Sequence, residues 1–269
     1  MSQITLIFGI APAVAPVIGG VLLNTLGWRA IFWALLVMVV GLLGWTVRGL
    51  PETLPPHARQ RLHPRALWHS YRTVLSRVDF LLLALIPAFN FAAFFIYVAV
   101  APSFLLDLLG VTTNGFAWLF IPMITGIMIG AALSGRLAGR VTPMRTIGYG
   151  YGMMAAGVTA NLAFAWLLPA GVPWSVLPIM MFTIGTSIVM PSVTLLLLDL
   201  FPTMRGMAAS LQGFVQFALS AFNAGTIAPF LGHSVKALAL GMAGFTIASY
   251  LLWIVYRRRP QSLLRDRNP

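Results

Sequence analysis

Seven stretches of the chain contain no Asp, Glu, Lys or Arg, and each is long enough to cross a membrane as a helix. They are residues 1–28, 30–47, 80–106, 108–135, 146–198, 206–235 and 237–256. The run 146–198 is interrupted by the turn signal Pro169-Ala170-Gly171-Val172-Pro173, so it holds two spans. The pattern therefore predicts eight helices, near 4–24, 29–49, 80–103, 115–137, 146–168, 174–199, 207–230 and 236–256.

Composition supports an all-α polytopic membrane protein with about eight transmembrane helices. Of the 269 residues, 59% are hydrophobic and only 8% are charged, whereas a soluble domain has about 25% charged residues. This excludes a soluble globular protein, and the high hydrophobicity excludes a disordered chain. A membrane barrel would alternate apolar and polar residues over short segments, which these continuous runs do not.

Basic residues mark one side of the membrane. Lys and Arg number six in loop 48–79, three near 136–145, one near 200–206 and five in the tail, whereas the opposite side has only Arg29 and Lys236. Positive loops stay in the cytoplasm, so the sequence predicts an inner-membrane protein with both termini cytoplasmic. The net charge of +12 is thus a topology signal, and we expect no nucleic-acid partner.

The charge pattern also predicts the domain organisation. The linker contains four prolines and then a basic amphipathic helix, which either lies on the inner leaflet or is a plain linker helix with a solvated face. The predicted domains are a first bundle segment, the cytoplasmic linker, a six-helix bundle and a basic tail, at residues 1–50, 51–78, 79–257 and 258–269.

An internal repeat connects the two ends of the chain. Ala15-Pro16-Val17-Ile18-Gly19-Gly20 and Ala228-Pro229-Phe230-Leu231-Gly232 share the pattern A-P-x-x-G. Each copy lies near the outer end of an outward span, and one more span follows each. The repeat unit would then be six helices, so we expect a complete second unit, two helices of a first unit, and four further helices before Met1.

These residues resemble the major facilitator superfamily and, within it, the Bcr/CflA-type drug:proton antiporters. The match corresponds to helices 5–12 of a twelve-helix fold, as in an N-terminally truncated member. The antiporter signature ending in Gly-Pro-x-x-Gly-Gly is similar to the segment with Ala15, Pro16, Gly19 and Gly20. The segments 27–33, 50–53 and 206–211 are similar to other family positions, and Gly135, Arg136, Gly139 and Arg140 resemble the cytoplasmic loop motif without its Asp.

The resemblance implies a secondary active transporter that exports drugs or other small amphipathic compounds in exchange for protons. Its partners would be the lipid bilayer, a small-molecule substrate and the missing N-terminal helices, whether separate or upstream. It implies no cofactor beyond the proton gradient. The Pro16 segment would form a helix seal, although ordinary small-residue packing is the alternative. Packing is the favoured role for the pairs Gly126/Gly130 and Gly148/Gly152.

Two polar faces are candidates for the wall of a substrate cavity. Positions at i, i+4 and i+7 place Asn90, Phe94 and Tyr97 together, and i, i+4 and i+11 place Gln212, Gln216 and Asn223 together. Aromatic walls with a few hydrogen-bonding groups suit flat cationic drugs. The alternative for each residue is an interhelical hydrogen bond, worth about 1 kcal/mol.

No charged residue is predicted at mid-membrane depth. Asp79, Asp107 and Asp199 lie near predicted helix ends, and all four His are in loops. There is no Cys, no phosphate loop and no intramembrane catalytic or metal-binding cluster, so we predict no enzyme activity and no metal site. The resemblance implies that the proton-carrying acid belongs to the first helix of the family. The alternative to a transporter is a non-transporting, truncated membrane protein or a helical module that needs a partner.

Overall fold

The computed structural model describes residues 18–19, 21–22, 25–51, 64–111 and 116–259, with only the backbone at 64–67 and 69–70. Every regular element in these ranges is helical, which confirms the predicted all-α class. The first predicted span, 4–24, lies mostly outside the described residues. Its described part is helical at residues 18–19 and 21–22.

The N-terminal unit contains α1, Trp28–Gly49, and most of α2, Pro64–Leu75. Gly27 precedes α1 with φ of 80°, a left-handed conformation that glycine adopts without the steric cost of a Cβ. The second predicted span therefore begins one residue before the expected position 29 and ends where expected. The amphipathic helix predicted in the linker is present as α2.

The unit that begins at Thr73 contains the remaining α-helices. They are α3 (Val78–Ala99), α4 (Ala117–Leu137), α5 (Pro143–Leu167), α6 (Leu177–Asp199), α7 (Arg205–Phe222), α8 (Ala228–Leu231) and α9 (Val235–Arg258). A π-helical turn, Asn223–Ile227, joins α7 to α8, so residues 205–231 make one span of 27 residues. The predicted turn at 169–173 separates α5 from α6.

The third span departs from the prediction at its end. It was expected to reach residue 103, but α3 ends at Ala99 and a π-helical turn occupies Ser103–Leu108. The sequence 101–102 is Ala-Pro, and proline cannot donate the backbone hydrogen bond that a continuing α-helix needs. Asp107 lies exposed in this turn, near a helix end as predicted.

Six helices in the described residues are long and apolar enough to cross a membrane: α1, α3, α4, α6, the α7–α8 span and α9. The remaining long helix, α5, has 25 residues but includes four glycines, two tyrosines and an asparagine, which lower its hydropathy. It packs against α6 and α9 and is therefore part of the same helical bundle. Helix α3 contacts α6, α7 and α9 and carries much of the buried core, including Phe80, Ile86, Ile96 and Tyr97.

Glycines bring the backbones of the bundle into contact. An ideal Cβ at Gly126 or Gly130 would collide with the backbone oxygens of Met180 and Ile184, so the packing role predicted for this pair is confirmed between α4 and α6. The pair Gly148/Gly152 differs, because a Cβ at either position would meet nothing within 4 Å. The contact on α5 is made instead by Gly150 and Gly157, which lie on another face of the helix.

Ion pairs and one cation–π contact show which helix ends lie side by side. The Arg259 guanidinium donates to the Asp79 carboxylate at 3.0 Å, which places the end of α9 beside the start of α3. Asp199 and Arg205 pair at 3.0 Å across the α6–α7 connection. These two acids therefore lie at helix ends, as predicted. The Lys236 ammonium lies 5.7 Å from the Trp166 ring centroid, joining the start of α9 to the end of α5 at the opposite end.

Candidate functional site

The face of α3 that carries Asn90, Phe94 and Tyr97 is buried in the bundle, with exposed fractions of 1%, 7% and 0%. The Tyr97 hydroxyl accepts a hydrogen bond from Asn161 Nδ2 at 2.7 Å. The same nitrogen lies 3.3 Å from the sulfur of Met242. These contacts join α3, α5 and α9. They are interhelical hydrogen bonds, which the sequence analysis gave as the alternative to a cavity wall.

A second polar link joins the same three helices nearer the Asp79 end. The Ser249 hydroxyl donates to the Ile86 carbonyl oxygen at 3.1 Å. Since a hydroxyl has one proton, Ser249 accepts the hydrogen bond from the Tyr151 hydroxyl, 2.7 Å away. The nearby Asn90 Oδ1 is buried and has no hydrogen-bond partner among the described residues.

The second candidate face lies along α7 and its π-helical turn. Gln212 Nε2 donates to Thr194 Oγ1 of α6 at 2.9 Å, and Asn223 Nδ2 donates to the Ala92 carbonyl of α3 at 3.1 Å. Gln216 is half-buried, and its side chain makes no hydrogen bond with another described residue. Gln212 and Asn223 therefore have interhelical partners, while Gln216 does not.

The six candidate residues are distributed between two helix faces, one on α3 and one on α7 with its π-helical turn. Tyr97, Gln212 and Asn223 make the interhelical bonds that were the alternative to a cavity role. The cavity role itself stays a prediction for all six. Sequence reasoning missed the partners Tyr151, Ser249 and Thr194, which a search for hydroxyl groups within predicted spans would have found.

The antiporter-signature segment is almost wholly outside the described residues. Ala15, Pro16 and Gly20 are not described, and Gly19 lies in a helical turn with nothing within 4 Å of an ideal Cβ. The proposed seal therefore stays a prediction.

The loop-motif residues lie at the end of α4 and in the turn after it. Gly135 and Arg136 are in the last turn of α4. Gly139 has φ of 76°, a left-handed conformation that favours glycine. Arg140 follows and lines a cleft of about 390 Å³ together with Thr142, Pro191 and Ser192. The motif thus shapes a cleft with a mainly apolar lining at the end of the bundle where the Asp79–Arg259 pair lies, between the α4–α5 turn and α6.

Comparison with known proteins agrees with this architecture. The sequence profile of the Major Facilitator Superfamily matches residues 1–224. A relative from Escherichia coli O157:H7, "Multidrug resistance protein MdtM", is 28% identical over 267 residues, covering 93% of this chain and 63% of the relative. The "Bicyclomycin resistance protein homolog" of Haemophilus influenzae is 26% identical over 262 residues, covering 94% and 63%.

The "Multidrug transporter MdfA" of Yersinia pestis (strain Angola) is 24% identical over 274 residues, covering 96% of this chain and 63% of the relative. The chain thus spans 63% of the length of each of these three relatives. The profile match, the drug-transport names of the relatives and the all-helical bundle confirm the resemblance found in the sequence. The chain is a multi-pass membrane protein that belongs to the major facilitator superfamily, a family of transporters.

Proposed function

We propose that the chain takes part in secondary active efflux of drugs or other small amphipathic compounds in exchange for protons. The observation that carries this proposal is the family match over residues 1–224. The names of the relatives, which refer to multidrug resistance, bicyclomycin resistance and multidrug transport, support the substrate class.

The bundle that begins at Thr73 supports a transport role because its helices are fixed to one another as a body. Glycine contacts join α4, α5 and α6, and buried hydrogen bonds join α3, α5 and α9. Transporters of this family alternate access by moving one such bundle against another around a central site. The α3–α9 bundle is then one of the two moving bodies.

Among the cavity candidates, Gln216 is the side chain best placed to contact a substrate. It is half-buried and keeps its amide free of hydrogen bonds to the described residues, whereas the Gln212 amide donates to Thr194. An unpaired amide in a span is costly unless it meets water or a ligand. Gln216 is therefore the proposed hydrogen-bonding contact for substrate.

The test expresses the longest reading frame that contains this chain in a bacterial strain lacking its own drug exporters. Cells should accumulate less of a lipophilic cationic dye, and an uncoupler should remove the difference. Replacing Gln216 by alanine should lower dye efflux by about threefold or more, since a lost ligand hydrogen bond costs about 1 kcal/mol. Membrane levels of the variant should stay unchanged, as judged by immunoblotting.

A protein that reaches the membrane but gives no energy-dependent efflux with a panel of dyes and bicyclomycin would contradict the proposal. That result would favour the alternative function, a helical module that needs a partner. Gln60→Ala is the matched control for the Gln216 variant because it makes the same substitution in the predicted linker. Its efflux should equal that of the unsubstituted protein.

We also propose an inner-membrane location with both chain ends in the cytoplasm. Fifteen basic residues are predicted on one side of the membrane and two on the other, and this asymmetry supports the orientation. A phosphatase reporter, active only outside the cytoplasm, should be inactive when fused after Pro269 or inserted within 52–64. A green fluorescent reporter at the same positions should be bright. Phosphatase activity at either position would overturn the orientation.

A further inference from the structure

An open cleft lies between the start of α5 and the last turn of α9. It has a volume of about 570 Å³ and is lined by Met144, Arg145, Gly148, Tyr149 and Arg257. Tyr149 is 58% exposed, and both arginines are exposed. We call this feature the α5–α9 cleft, and it is separate from the candidate cavity residues on α3 and α7.

The α5–α9 cleft is positively charged, and no acid in the described part of the chain lines it. Neither Arg145 nor Arg257 makes an ion pair or a hydrogen bond with a side chain among the described residues. Asp79, at the start of α3, pairs with Arg259 at 3.0 Å. Two guanidinium groups on one cleft repel each other, and a phosphate that accepts hydrogen bonds from both relieves that repulsion.

A smooth strip of small residues runs along α5 away from the arginines. Spacing along the helix puts Gly148, Gly152, Ala155 and Thr159 on one exposed face. An ideal Cβ at either glycine would meet nothing within 4 Å, so no described helix covers the strip there. The Thr159 hydroxyl donates to the Ala155 carbonyl oxygen, one turn earlier in the same helix, and also lies 3.2 Å from the Ala156 carbonyl oxygen, so its polar group is satisfied within α5.

We propose that the α5–α9 cleft binds the phosphate headgroup of one anionic phospholipid, with an acyl chain along the small-residue strip of α5. Arg145 and Arg257 supply the charge, Tyr149 supplies an aromatic contact at headgroup depth, and the strip supplies a flat apolar surface. Basic pockets between transmembrane helices bind anionic headgroups in this way.

Charge selects a lipid over a second copy of the chain as the occupant. A two-fold pairing through the α5 strip would bring four arginines together with none of the described acids lining either cleft, and such like-charge contacts oppose association. The proposal needs only that the chain is embedded in a bilayer. It therefore holds or fails independently of the proposed efflux activity.

The experiment measures lipid binding by native mass spectrometry of the full chain, purified and delipidated in detergent. Phosphatidylglycerol and phosphatidylcholine with identical acyl chains are titrated in turn. One phosphatidylglycerol should bind in preference to phosphatidylcholine. The double variant Arg145→Gln/Arg257→Gln should lower phosphatidylglycerol affinity by about tenfold or more, because each arginine near a lipid surface contributes to the attraction.

Arg258→Gln is the matched control, because Arg258 is exposed and adjacent in sequence but does not line the cleft. Its phosphatidylglycerol affinity should stay within about twofold of the unsubstituted chain. A loss as large with Arg258→Gln as with the double variant would overturn the proposal, because it would assign the preference to general basic charge.

Gly152→Leu tests the acyl strip separately. No atom within 4 Å obstructs a Cβ there, so the variant should fold normally and show an unchanged circular dichroism spectrum. It should weaken phosphatidylglycerol binding without affecting binding of glycerol phosphate. If inorganic phosphate competes as well as the intact lipid does, the cleft is only an anion site and the proposal is wrong. Efficient membrane cross-linking of a Thr159→Cys variant to itself would also overturn it.

Discussion

Gly150→Ala is expected to destabilise the bundle severely, whereas Gly152→Ala, two residues further along the same helix, should leave stability nearly unchanged. An ideal Cβ at Gly150 would collide with Val189 Cγ2 and would lie 2.8 Å from the Gly185 carbonyl oxygen. At Gly152 it would meet nothing within 4 Å. The two substitutions add the same methyl group to the same α-helix, so their difference isolates the contact between α5 and α6.

The contact is reciprocal, which makes relaxation difficult. A Cβ at Gly185 of α6 would lie 2.5 Å from the Gly150 carbonyl oxygen and 2.8 Å from the Met154 nitrogen. These atoms are backbone, so neither helix can yield by a rotamer change alone and the two helix axes must separate. Overpacking of this kind costs typically about 1–3 kcal/mol, a large part of the stability of a marginally stable protein.

The measurement is thermal unfolding of the purified chain in detergent, followed by circular dichroism and by size-exclusion profile after heating. Gly150→Ala and Gly185→Ala should each lower the midpoint of unfolding by several degrees or prevent recovery of folded protein. Gly152→Ala should match or slightly exceed the original midpoint, because alanine is the better helix former by up to about 1 kcal/mol. Equal midpoints for Gly150→Ala and Gly152→Ala would refute the close α5–α6 contact.

The same glycines show how far the sequence determines the packing. The spacing Gly148/Gly152 resembles a packing pair as closely as Gly126/Gly130 does, yet only the second pair meets another helix. Helical spacing tells which residues share a face, but the neighbour of that face depends on how the helices are arranged in three dimensions. Gly150 and Gly157, which do meet α6, are seven residues apart and do not form the i, i+4 pair that indicates helix packing in a sequence.

Helix positions were easier to predict, because the cost of placing charge in lipid divides the chain into neutral runs. The residues at which the helices end were harder to predict. The charge pattern allowed the third span to run to residue 103, but Pro102 and the following π-helical turn end α3 at Ala99. Local hydrogen-bond geometry decides such ends, and a count of apolar residues does not include it.

For the polar side chains, the sequence showed which positions were unusual but not what they contact. The Asn223 amide donates to the Ala92 carbonyl, 131 residues away in the chain, and Tyr151 pairs with Ser249, 98 residues away. No periodicity within one helix contains that information. The choice between a cavity wall and an interhelical bond is therefore open in the sequence. The structure shows interhelical bonds at Tyr97, Gln212 and Asn223, and the cavity role stays a prediction.

Three of the five acidic residues of the sequence are described in the structure, and each of these three lies at a helix end or in a turn. Asp79 is held by Arg259 at one end, Asp199 pairs with Arg205 on the surface at the same end, and Asp107 is exposed in the turn after α3. Glu52 and Asp266 lie outside the described residues, in the predicted linker and tail. The buried polar groups of the bundle are amides, hydroxyls and phenols, which do not release and rebind protons near pH 7.

We therefore expect residues 1–269, expressed alone, to insert into the membrane but not to exchange a drug for protons. A coupled exporter needs a titratable group that each side reaches in turn, and no described acid meets that requirement. The purified chain in liposomes with an imposed pH gradient should move a lipophilic cationic dye no faster than empty liposomes do. The longest reading frame that contains the chain, reconstituted in parallel, is the positive control. Dye movement by the 269 residues that follows the gradient and disappears in Asp79→Asn or Asp199→Asn would show the expectation wrong, and would assign the proton carrier to one of these helix-end carboxylates.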